Sequence, residues 1–507
     1  MRKIKVFLGL MLMASVMFVS CGKDDNKVEP PVIHEMKVEN DVLTILEEES
    51  KTIKIVSGNG DYQVKSDNDN VAVTEKEGVI TIIGQKAGRS TISVTDSKGK
   101  KASISITINT LVLDKAEVII QKGEKATVEI QSGSGIYSVV SDNEPVATAE
   151  LSGTNITITA IVDGTATITV TDTKINKTQQ VNVIVTLIPQ SYYNLSNDKT
   201  TLVKWLDQEL TTLDMQSDPV LSKVTSIGAR AFLGSKLTSI TLPNELKIIK
   251  ESAFNSSIAL TSLMIPEGVT TIEGSAFYNC RALTTITLPQ TLTEIGESAF
   301  KSCYELNNVV IPNEVKRLES DAFSDCRELT TITLSNQLTH IGDTAFNGCG
   351  KLASIELPET LEEIGISAFS DCKALTSITI PNKVTELSNS LFWGCSNLAS
   401  ITIGEEVTTI GEEVFRDCAK LTSINIPSKV TDIGKIIFSG CNSLVSITMN
   451  PVTPPTLGFE EDENENFKYL YNNDLTAFKH IYVPSASLSE YQQVEGWSEY
   501  SDKISAQ

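Results

Sequence analysis

The sequence predicts a mainly β protein: two tandem β-sandwiches, then a solenoid of about ten 23-residue turns with a helical N-terminal cap. Three observations lead to this prediction. A phenylalanine recurs every 22 or 23 residues in the second half of the chain, a glycine-containing segment near residue 60 recurs 75 residues later, and apolar and polar residues alternate around both copies. A fixed period of this length is typical of stacked repeats, and alternation with period two is typical of strands.

The composition already excludes several functions. The 507 residues include 42 Lys and Arg against 64 Asp and Glu, so the formal net charge is -22. Nucleic-acid binding depends on clustered cations, and we therefore expect no nucleic-acid partner. The three histidines are widely separated, and no zinc motif, phosphate loop or Gly-x-Ser-x-Gly elbow occurs. The sequence predicts neither an enzyme nor a metal site or cofactor.

Residues 1–20 have the pattern of an export signal. Arg2, Lys3 and Lys5 precede an apolar run up to Val19 that is too short for a stable membrane span. Cys21 follows Ser20, and this junction resembles the lipobox of bacterial lipoproteins, while the polar residues behind it resemble the export tag of Bacteroidetes-type surface lipoproteins. The resemblance implies lipidation of Cys21 and a membrane partner through the lipid anchor, with residues 21–35 as an anchored linker. Ordinary secretion with an idle Cys21 is the alternative.

Residues 36–110 and 111–187 are two copies of one module. The segment from Gly58 matches the segment from Gly133, and Gly88 to Asp96 matches Gly164 to Asp172. Short alternating runs separated by Gly, Asn and Asp turns predict a β-sandwich in each copy. The strand pattern Gly-x-x-Thr-Ile-x-Val-Thr-Asp resembles bacterial Ig-like domains, and the resemblance implies a spacer or an adhesive module.

Residues 221–450 contain the repeat. Leu follows the repeated Phe by six residues and Ile or Val follows it by nine, which gives a Leu-x-x-Ile-x-Ile core in each unit. One such unit cannot bury its apolar residues alone, whereas stacked units place identical side chains in continuous columns. The core resembles the leucine-rich repeat, and more narrowly the BspA-like repeats of bacterial surface proteins. The repeated phenylalanines are Phe232, Phe254, Phe277, Phe300, Phe323, Phe346, Phe369, Phe392, Phe415 and Phe438.

Both ends of the array need caps. In residues 188–220, Leu202, Val203, Leu206 and Leu210 recur at helical spacing around Trp205, so a helix is expected to cover the first turn. At the other end the period fails, and residues 451–507 form the predicted C-terminal cap, with the segment from Ile481 to Pro484 and the aromatic residues that follow it closing the array.

Eight cysteines follow the repeated phenylalanines by three residues. Because they share one column of the solenoid, we expect a structural ladder of buried free thiols. Disulfides between neighbouring turns and a metal site are the alternatives. Ser235 and Ser257 replace cysteine in the first two turns. The ladder consists of Cys280, Cys303, Cys326, Cys349, Cys372, Cys395, Cys418 and Cys441.

The outward residues of the repeated strand form the candidate ligand-binding stripe, which is rich in hydroxyl groups. Thr suits exposed strands by propensity alone, so a purely structural stripe is the alternative. Sugar binding usually requires aromatic residues, and Tyr278, Tyr304 and Trp393 lie off the stripe. The candidate residues are Thr285, Thr287, Thr331, Thr333, Ser354, Glu356, Ser377, Thr379, Ser400, Thr402, Ser423 and Asn425.

These elements favour an adhesion or interaction lipoprotein at the outer membrane or cell surface. The resemblance to BspA-like proteins implies a protein ligand on host matrix or on other cells, bound through the solenoid, with the Ig-like modules as spacer. A glycan-capture lipoprotein of an outer-membrane uptake system and a ligand-free structural spacer are the two alternatives. Nothing in the sequence names the ligand.

Overall fold

A computed structural model describes residues 30–461, 467–471 and 475–507. The predicted export signal and Cys21 lie outside the described residues, as does much of the acidic segment after Glu461. The protein is mainly β, and a parallel β-solenoid of about 13 turns spans residues 201–506. The sequence prediction of a mainly β chain ending in a solenoid is confirmed.

Each module consists of two four-stranded sheets, and the strand order is the same in both copies. In each copy the first strand of one sheet pairs in parallel with the last strand of the module. The sheets of the first module share a core of alternating Ile and Val side chains, among them Ile80, Ile92 and Ile106. In sheet order, the strands of the first module are Lys37–Val38, Ser50–Ser57, Val79–Gly84 and Val71–Lys76 in one sheet and Val42–Leu46, Lys101–Asn109, Gly88–Thr95 and Gln63–Ser66 in the other. The strands of the second module are Val112–Leu113, Lys125–Ser132, Asn155–Ala160 and Ala147–Ser152 in one sheet and Glu117–Gln121, Lys177–Thr186, Gly164–Asp172 and Tyr137–Ser141 in the other.

An aspartate at the same position in each module holds the loop that begins at the repeated glycine, Gly58 or Gly133. The Asp96 carboxylate accepts hydrogen bonds from the backbone and side chain of Asn59, and that of Asp172 accepts them from the backbone and side chain of Ser134. These loops are therefore structural turns. Contacts between residues divide the chain into two compact units. The first unit contains the first module and two segments of the second module, 132–137 and 172–177. The second unit contains the rest of the second module and the solenoid.

Most solenoid turns contribute one strand to each of two faces. The strand face contains the Ile of the Leu-x-x-Ile-x-Ile core, and its strands are Thr212–Asp214, Ser239–Thr241, Ser262–Met264, Thr285–Thr287, Asn308–Val310, Thr331–Thr333, Ser377–Thr379, Ser400–Thr402, Ser423–Ile426, Ser446–Met449, His480–Val483 and Ile504–Ala506. The second face consists of Thr201–Trp205, Ser226–Ile227, Ile248–Ile249, Thr271–Ile272, Glu294–Ile295, Arg317–Leu318, His340–Ile341, Glu363–Ile364, Glu386–Leu387, Thr409–Ile410, Asp432–Ile433 and Thr456–Leu457. Adjacent turns pair in parallel, and in the middle of the array their register is 23 residues, for example Thr285 opposite Asn308.

The repeated phenylalanines form one buried stack. Nine consecutive ring pairs, from Phe232–Phe254 to Phe415–Phe438, have centroid distances of 4.9–6.0 Å and interplanar angles of 10° or less. Trp205 continues the stack at its N-terminal end, 5.9 Å from Phe232. The solenoid has more turns than the phenylalanine count predicted, because the turns at its ends lack Phe and the 23-residue spacing.

The predicted helical N-terminal cap is wrong. Thr201–Trp205 is a strand that pairs in parallel with Ser226–Ile227 and antiparallel with Tyr193–Leu195. The first turn presents backbone N–H and C=O groups at its edge, and the strand Thr201–Trp205 pairs with them in register. Leu202 and Trp205 are both buried in this strand. The three-residue spacing between them, which resembles the spacing of apolar residues in a helix, is here that of an irregular strand.

In the residues that the structure describes, helical structure is confined to short segments. The 3₁₀ turns are Gln190–Tyr192, Leu221–Lys223, Ser485–Ser487 and Trp497–Tyr500, and the α-helix is Leu488–Tyr491. At the C-terminal end, Tyr491 and Trp497 are buried and meet edge to face at 5.1 Å. Glu460–Glu461 pairs antiparallel with Phe467–Lys468.

The sequence reasoning missed a feature of the turns that flank each phenylalanine. The residues two positions before and two positions after each repeated Phe have a left-handed backbone, with φ between 47° and 76°. Ser, Asp, Asn and Gly at most of these positions were the available signal, since these residues tolerate this conformation best. Thr344 and Ile436 are the β-branched exceptions, with φ of 53° and 47°.

Candidate binding surfaces

The strand face presents the candidate stripe to solvent. In most of its strands the central residue is buried and its two neighbours are exposed, because side chains alternate across a strand. All twelve residues of the predicted stripe are exposed. Ser354 and Glu356 differ from the other ten in lying outside any strand.

Most of these side chains have no protein hydrogen-bond partner. Within the part of the chain that the structure describes, Thr331 bonds to Asn308 and Asn425 accepts a bond from Asn450, while the other ten make no side-chain hydrogen bond. The threonines just before them behave differently, since the Thr284 hydroxyl donates to the Thr261 carbonyl one turn earlier at 2.9 Å. Structural and ligand-accessible hydroxyls therefore occupy different columns.

The stripe also contains two exposed apolar residues that the sequence reasoning missed. Met264 is 72% exposed and Val310 is 59% exposed. They lie in register on either side of Thr287, in three consecutive turns. The signal was their position: each occupies the outward site that holds Thr in neighbouring repeats. Together with the Thr287 methyl group they form a small apolar surface on the polar face.

The strand ladder opens in the middle of this face. Thr331–Thr333 pairs with the preceding strand, but residues 354–356 form no strand with it. A groove of about 480 Å³ lies at the opening and is lined by Leu334, Leu357 and Pro358 together with outward stripe residues. The groove is therefore a recess in the strand face whose lining includes apolar side chains.

The cysteine ladder lies inside the solenoid, away from both faces. All eight cysteines are fully buried, and the thiols from Cys280 to Cys418 are free. Each thiol in the column donates to the carbonyl of the phenylalanine 26 residues earlier, as Cys326 does to Phe300 at 3.3 Å and Cys441 to Phe415 at 3.0 Å. Ser257 makes the same bond to Phe232 at 2.9 Å, which explains why serine can replace cysteine in this column.

Burial suppresses ionisation of these thiols. It raises the pKa of Cys280 and of Cys395 to about 12 and raises that of the other affected thiols as well. Because the thiolate is the reactive species, these groups are poor nucleophiles and poor metal ligands in the folded protein. Among the described residues, no group of three or more His, Cys, Asp or Glu side chains could hold a metal ion.

The aromatic residues off the stripe differ in accessibility. Tyr304 lies between two guanidinium groups, with Arg327 at 4.4 Å and Arg281 at 5.5 Å from the ring centroid. Trp393 is 43% exposed, whereas the other two tryptophans, Trp205 and Trp497, are buried. Its indole N–H donates to Asp417 at 3.0 Å, and the Arg416 guanidinium lies 5.7 Å from the ring centroid.

The fold and its repeated surface are those of a leucine-rich-repeat solenoid. The family described as "BspA type Leucine rich repeat region" matches residues 211–330 and 316–445, in six copies. Residues 211–445 of the solenoid are thus similar to leucine-rich-repeat regions of the BspA type. No helix in the described ranges is long and apolar enough to span a bilayer.

Solved structures of bacterial leucine-rich-repeat proteins are similar to this chain. One from Bacteroides ovatus ATCC 8483 is 23% identical, with a TM-score of 0.42, over 65% of this chain and 88% of that one. A leucine rich cell surface protein from Faecalibacterium prausnitzii A2-165 is 26% identical, with a TM-score of 0.38, over 60% and 96%. The T. pallidum leucine rich repeat protein is 26% identical, with a TM-score of 0.27, over 46% and 90%. None of the curated proteins compared with the chain matches it.

Proposed function

We propose that this protein is exported, anchored by lipid at Cys21, and binds a protein ligand through the strand face of its solenoid. The observation that carries the proposal is the chemistry of that face: a row of exposed side chains, most without hydrogen-bond partners, interrupted by an apolar surface at Met264 and Val310 and by the groove beside Leu357. The two modules, read as Ig-like domains, act as spacers between the anchor and this face.

The composition of the face favours a protein over a glycan. Protein interfaces combine an apolar centre with a polar, solvated rim, and anchor residues of a partner fill pockets near the centre. Met264, Val310 and the groove supply the apolar centre, and the hydroxyls of residues such as Thr379 and Ser400 supply the rim. From residue 262 to residue 426 the outward positions of this face contain no aromatic side chain that could stack on a sugar.

The size of the face sets a further requirement. Eight turns at about 4.8 Å per turn extend about 35 Å, and three residues at about 3.3 Å each give a width of about 10 Å, so the stripe offers about 350 Å². A standard interface buries about 800 Å² on each partner. A stable ligand must therefore also contact the loops that border the strands, or engage several copies of the protein on one cell.

The test is binding of the full chain, in detergent, to a panel of immobilised extracellular-matrix proteins. Thr379→Arg introduces a long charged side chain on the strand face and should abolish binding. Glu386→Arg introduces the same side chain at an exposed position of the second face and should leave binding unchanged. Equal effects of the two variants would contradict binding through the strand face, and a lack of any protein ligand would favour the structural spacer.

Export and anchoring are tested separately. Labelling of growing cells with a palmitate analogue should tag the wild type and fail to tag Cys21→Ala. Protease treatment of intact cells should remove the solenoid from the wild type if the protein is displayed externally. Labelling that survives in Cys21→Ala would contradict the lipid anchor.

A further inference from the structure

We propose that a pocket beside the first strands of the solenoid binds an internal peptide segment that carries an uncharged aliphatic side chain. The pocket has a volume of about 350 Å³, which lies in the range of small-ligand sites. Its lining residues come from the strands Glu117–Gln121 and Tyr193–Leu195 and from the segments next to them, all within the second compact unit. The pocket contains no residue of the strand face, so the inference goes beyond the protein ligand proposed above.

The Tyr193 hydroxyl is a buried polar group without a partner. Tyr193 lines the pocket and is 5% exposed, and its hydroxyl makes no hydrogen bond with the described residues. Burial raises the pKa of this hydroxyl, and the nearby Asp218 carboxylate raises the pKa further, so the group stays protonated. A buried donor without an acceptor is unfavourable, and the carbonyl oxygen of a peptide in the pocket would supply the acceptor.

Unpartnered polar groups are concentrated at this end of the solenoid. In the part of the chain that the structure describes, the other buried side-chain atoms without a partner are Thr186 Oγ1, Trp205 Nε1 and Ser226 Oγ. Tyr193 and Trp205 lie directly opposite each other in paired strands. Because buried polar groups in folded proteins normally have partners, and the described turns beyond Ser226 follow this rule, the missing partners are a local feature of this end.

The inner part of the pocket is aliphatic. Val220 is buried, and Ile119 and Leu195 are half-buried; all three line the pocket together with Tyr193. Ile119 and Leu195 also pack against the core of the solenoid, so these walls are held in place before any ligand arrives. An aliphatic side chain that enters the pocket removes apolar surface from water on both partners.

Three amide side chains complete the lining. Gln190, Asn194 and Asn197 are exposed, and among the described residues their side-chain amides have no hydrogen-bond partner. Each amide offers two N–H donors and one carbonyl acceptor, which are the groups that pair with a peptide bond. The combination of aliphatic walls, free amides and the Tyr193 donor therefore fits an apolar residue flanked by two peptide bonds.

The charges around the pocket disfavour an ionic ligand. Lys199 is the one charged residue of the lining, and it forms an ion pair with Glu117. The carboxylates of Asp198 and Asp218 belong to the neighbouring segments, and each accepts three hydrogen bonds. An anion would meet these carboxylates, and a cation would find no carboxylate in the lining. The charged ends of a free amino acid are therefore unfavourable here, whereas an internal segment has neutral amides at both ends.

The experiment is calorimetric titration of the full chain, in detergent, with end-capped amino acids at millimolar concentrations. We expect N-acetyl-leucine amide to bind, and we expect free leucine, which has charged ends, and acetamide, which has no aliphatic side chain, to bind about tenfold more weakly. Tyr193→Phe removes only the hydroxyl and should weaken binding of the capped leucine about fivefold or more. Tyr192→Phe is the matched control, because Tyr192 packs against Trp205 and does not line the pocket, and it should bind as the wild type does.

Thermal unfolding without ligand separates a binding role of the hydroxyl from a structural one. Tyr193→Phe should leave the melting temperature unchanged or raise it, because this variant removes a buried donor that has no acceptor. A lower melting temperature would mean that the hydroxyl is already bonded within the fold, and it would overturn the proposal.

Three binding results would also overturn the proposal. They are the absence of binding by any capped aliphatic residue, equal affinity of the wild type and Tyr193→Phe, and tighter binding of free leucine than of the capped form. Thr379→Arg, which tests the strand face, should bind the capped leucine as the wild type does, so failure of this pocket is distinguishable from failure of the strand face.

Discussion

The phenylalanine stack allows a quantitative test of how the solenoid is stabilised. Phe323 is fully buried, with Phe300 at 5.2 Å on one side and Phe346 at 5.9 Å on the other. Truncation of a buried Phe to Ala costs about 3–5 kcal/mol, because apolar contacts are lost and a cavity remains. Each stacked neighbour adds about 0.5–1.5 kcal/mol beyond buried area, so we expect Phe323→Ala to fall in the upper part of that range, at about 4–5 kcal/mol.

The assay is urea unfolding combined with amide hydrogen exchange. Since each turn contacts only its neighbours, protection should fall first in the turns around residues 300–346 and persist towards both ends. Phe323→Leu keeps most of the volume and should cost about 1–2 kcal/mol. Leu233→Ala is the control, because Leu233 is 50% exposed next to Phe232, and it should change stability by less than about 0.5 kcal/mol. A loss below about 2 kcal/mol in Phe323→Ala, or a uniform loss of protection along the chain, would refute this reasoning.

Three further predictions concern protonation and packing. Burial raises the pKa of Cys280 to about 12, above the value of about 8.5 in an unfolded chain. The free energy of unfolding therefore keeps its full value below about pH 8 and falls as the pH rises towards 12, by about 1.4 kcal/mol per pH unit for each such thiol. The melting temperature should fall steeply above about pH 9, and less steeply when ladder cysteines are replaced by serine. Burial would raise the pKa of Asp172, but hydrogen bonds from Ser134, Ile175 and Lys174 outweigh it and lower the pKa, so the ionised carboxylate stabilises the fold above about pH 4 and this stabilisation is lost on acidification. We expect Asp172→Asn to lower the free energy of unfolding by about 1–3 kcal/mol at pH 7 and to make it depend less on pH in acid titrations monitored by circular dichroism. Unchanged acid sensitivity of this variant would contradict the assignment. A Cβ on Gly296 would lie 2.6 Å from the Gly274 nitrogen one turn away, while one on Gly350 would meet nothing closer than 3.9 Å. Calorimetry should therefore show that Gly296→Ala lowers stability by about 1–3 kcal/mol and that Gly350→Ala leaves it nearly unchanged.

The repeat made most of the solenoid predictable. Most internal turns place Phe, Cys, Leu and Ile in the same environment, so a weak local signal is repeated until the period is certain. The outward stripe was predictable for the same reason, because residues such as Thr285 and Ser377 lie beside an Ile that must be buried. Partial exposure of an individual residue, by contrast, depends on neighbours one turn away, which no single repeat contains.

What the sequence by itself determined is therefore the periodic part of the molecule: its β class, its duplicated modules, its columns and its outward stripe. Only the tertiary structure decided the exceptions. Thr201–Trp205 is a strand because the edge of the first turn needs backbone partners. The strand pairing of the strand face is interrupted beside Leu357, and Trp393 is exposed whereas Trp205 and Trp497 are buried. These features arise where one turn meets another that differs from it, and contacts between unlike turns are set by three-dimensional packing rather than by any local pattern.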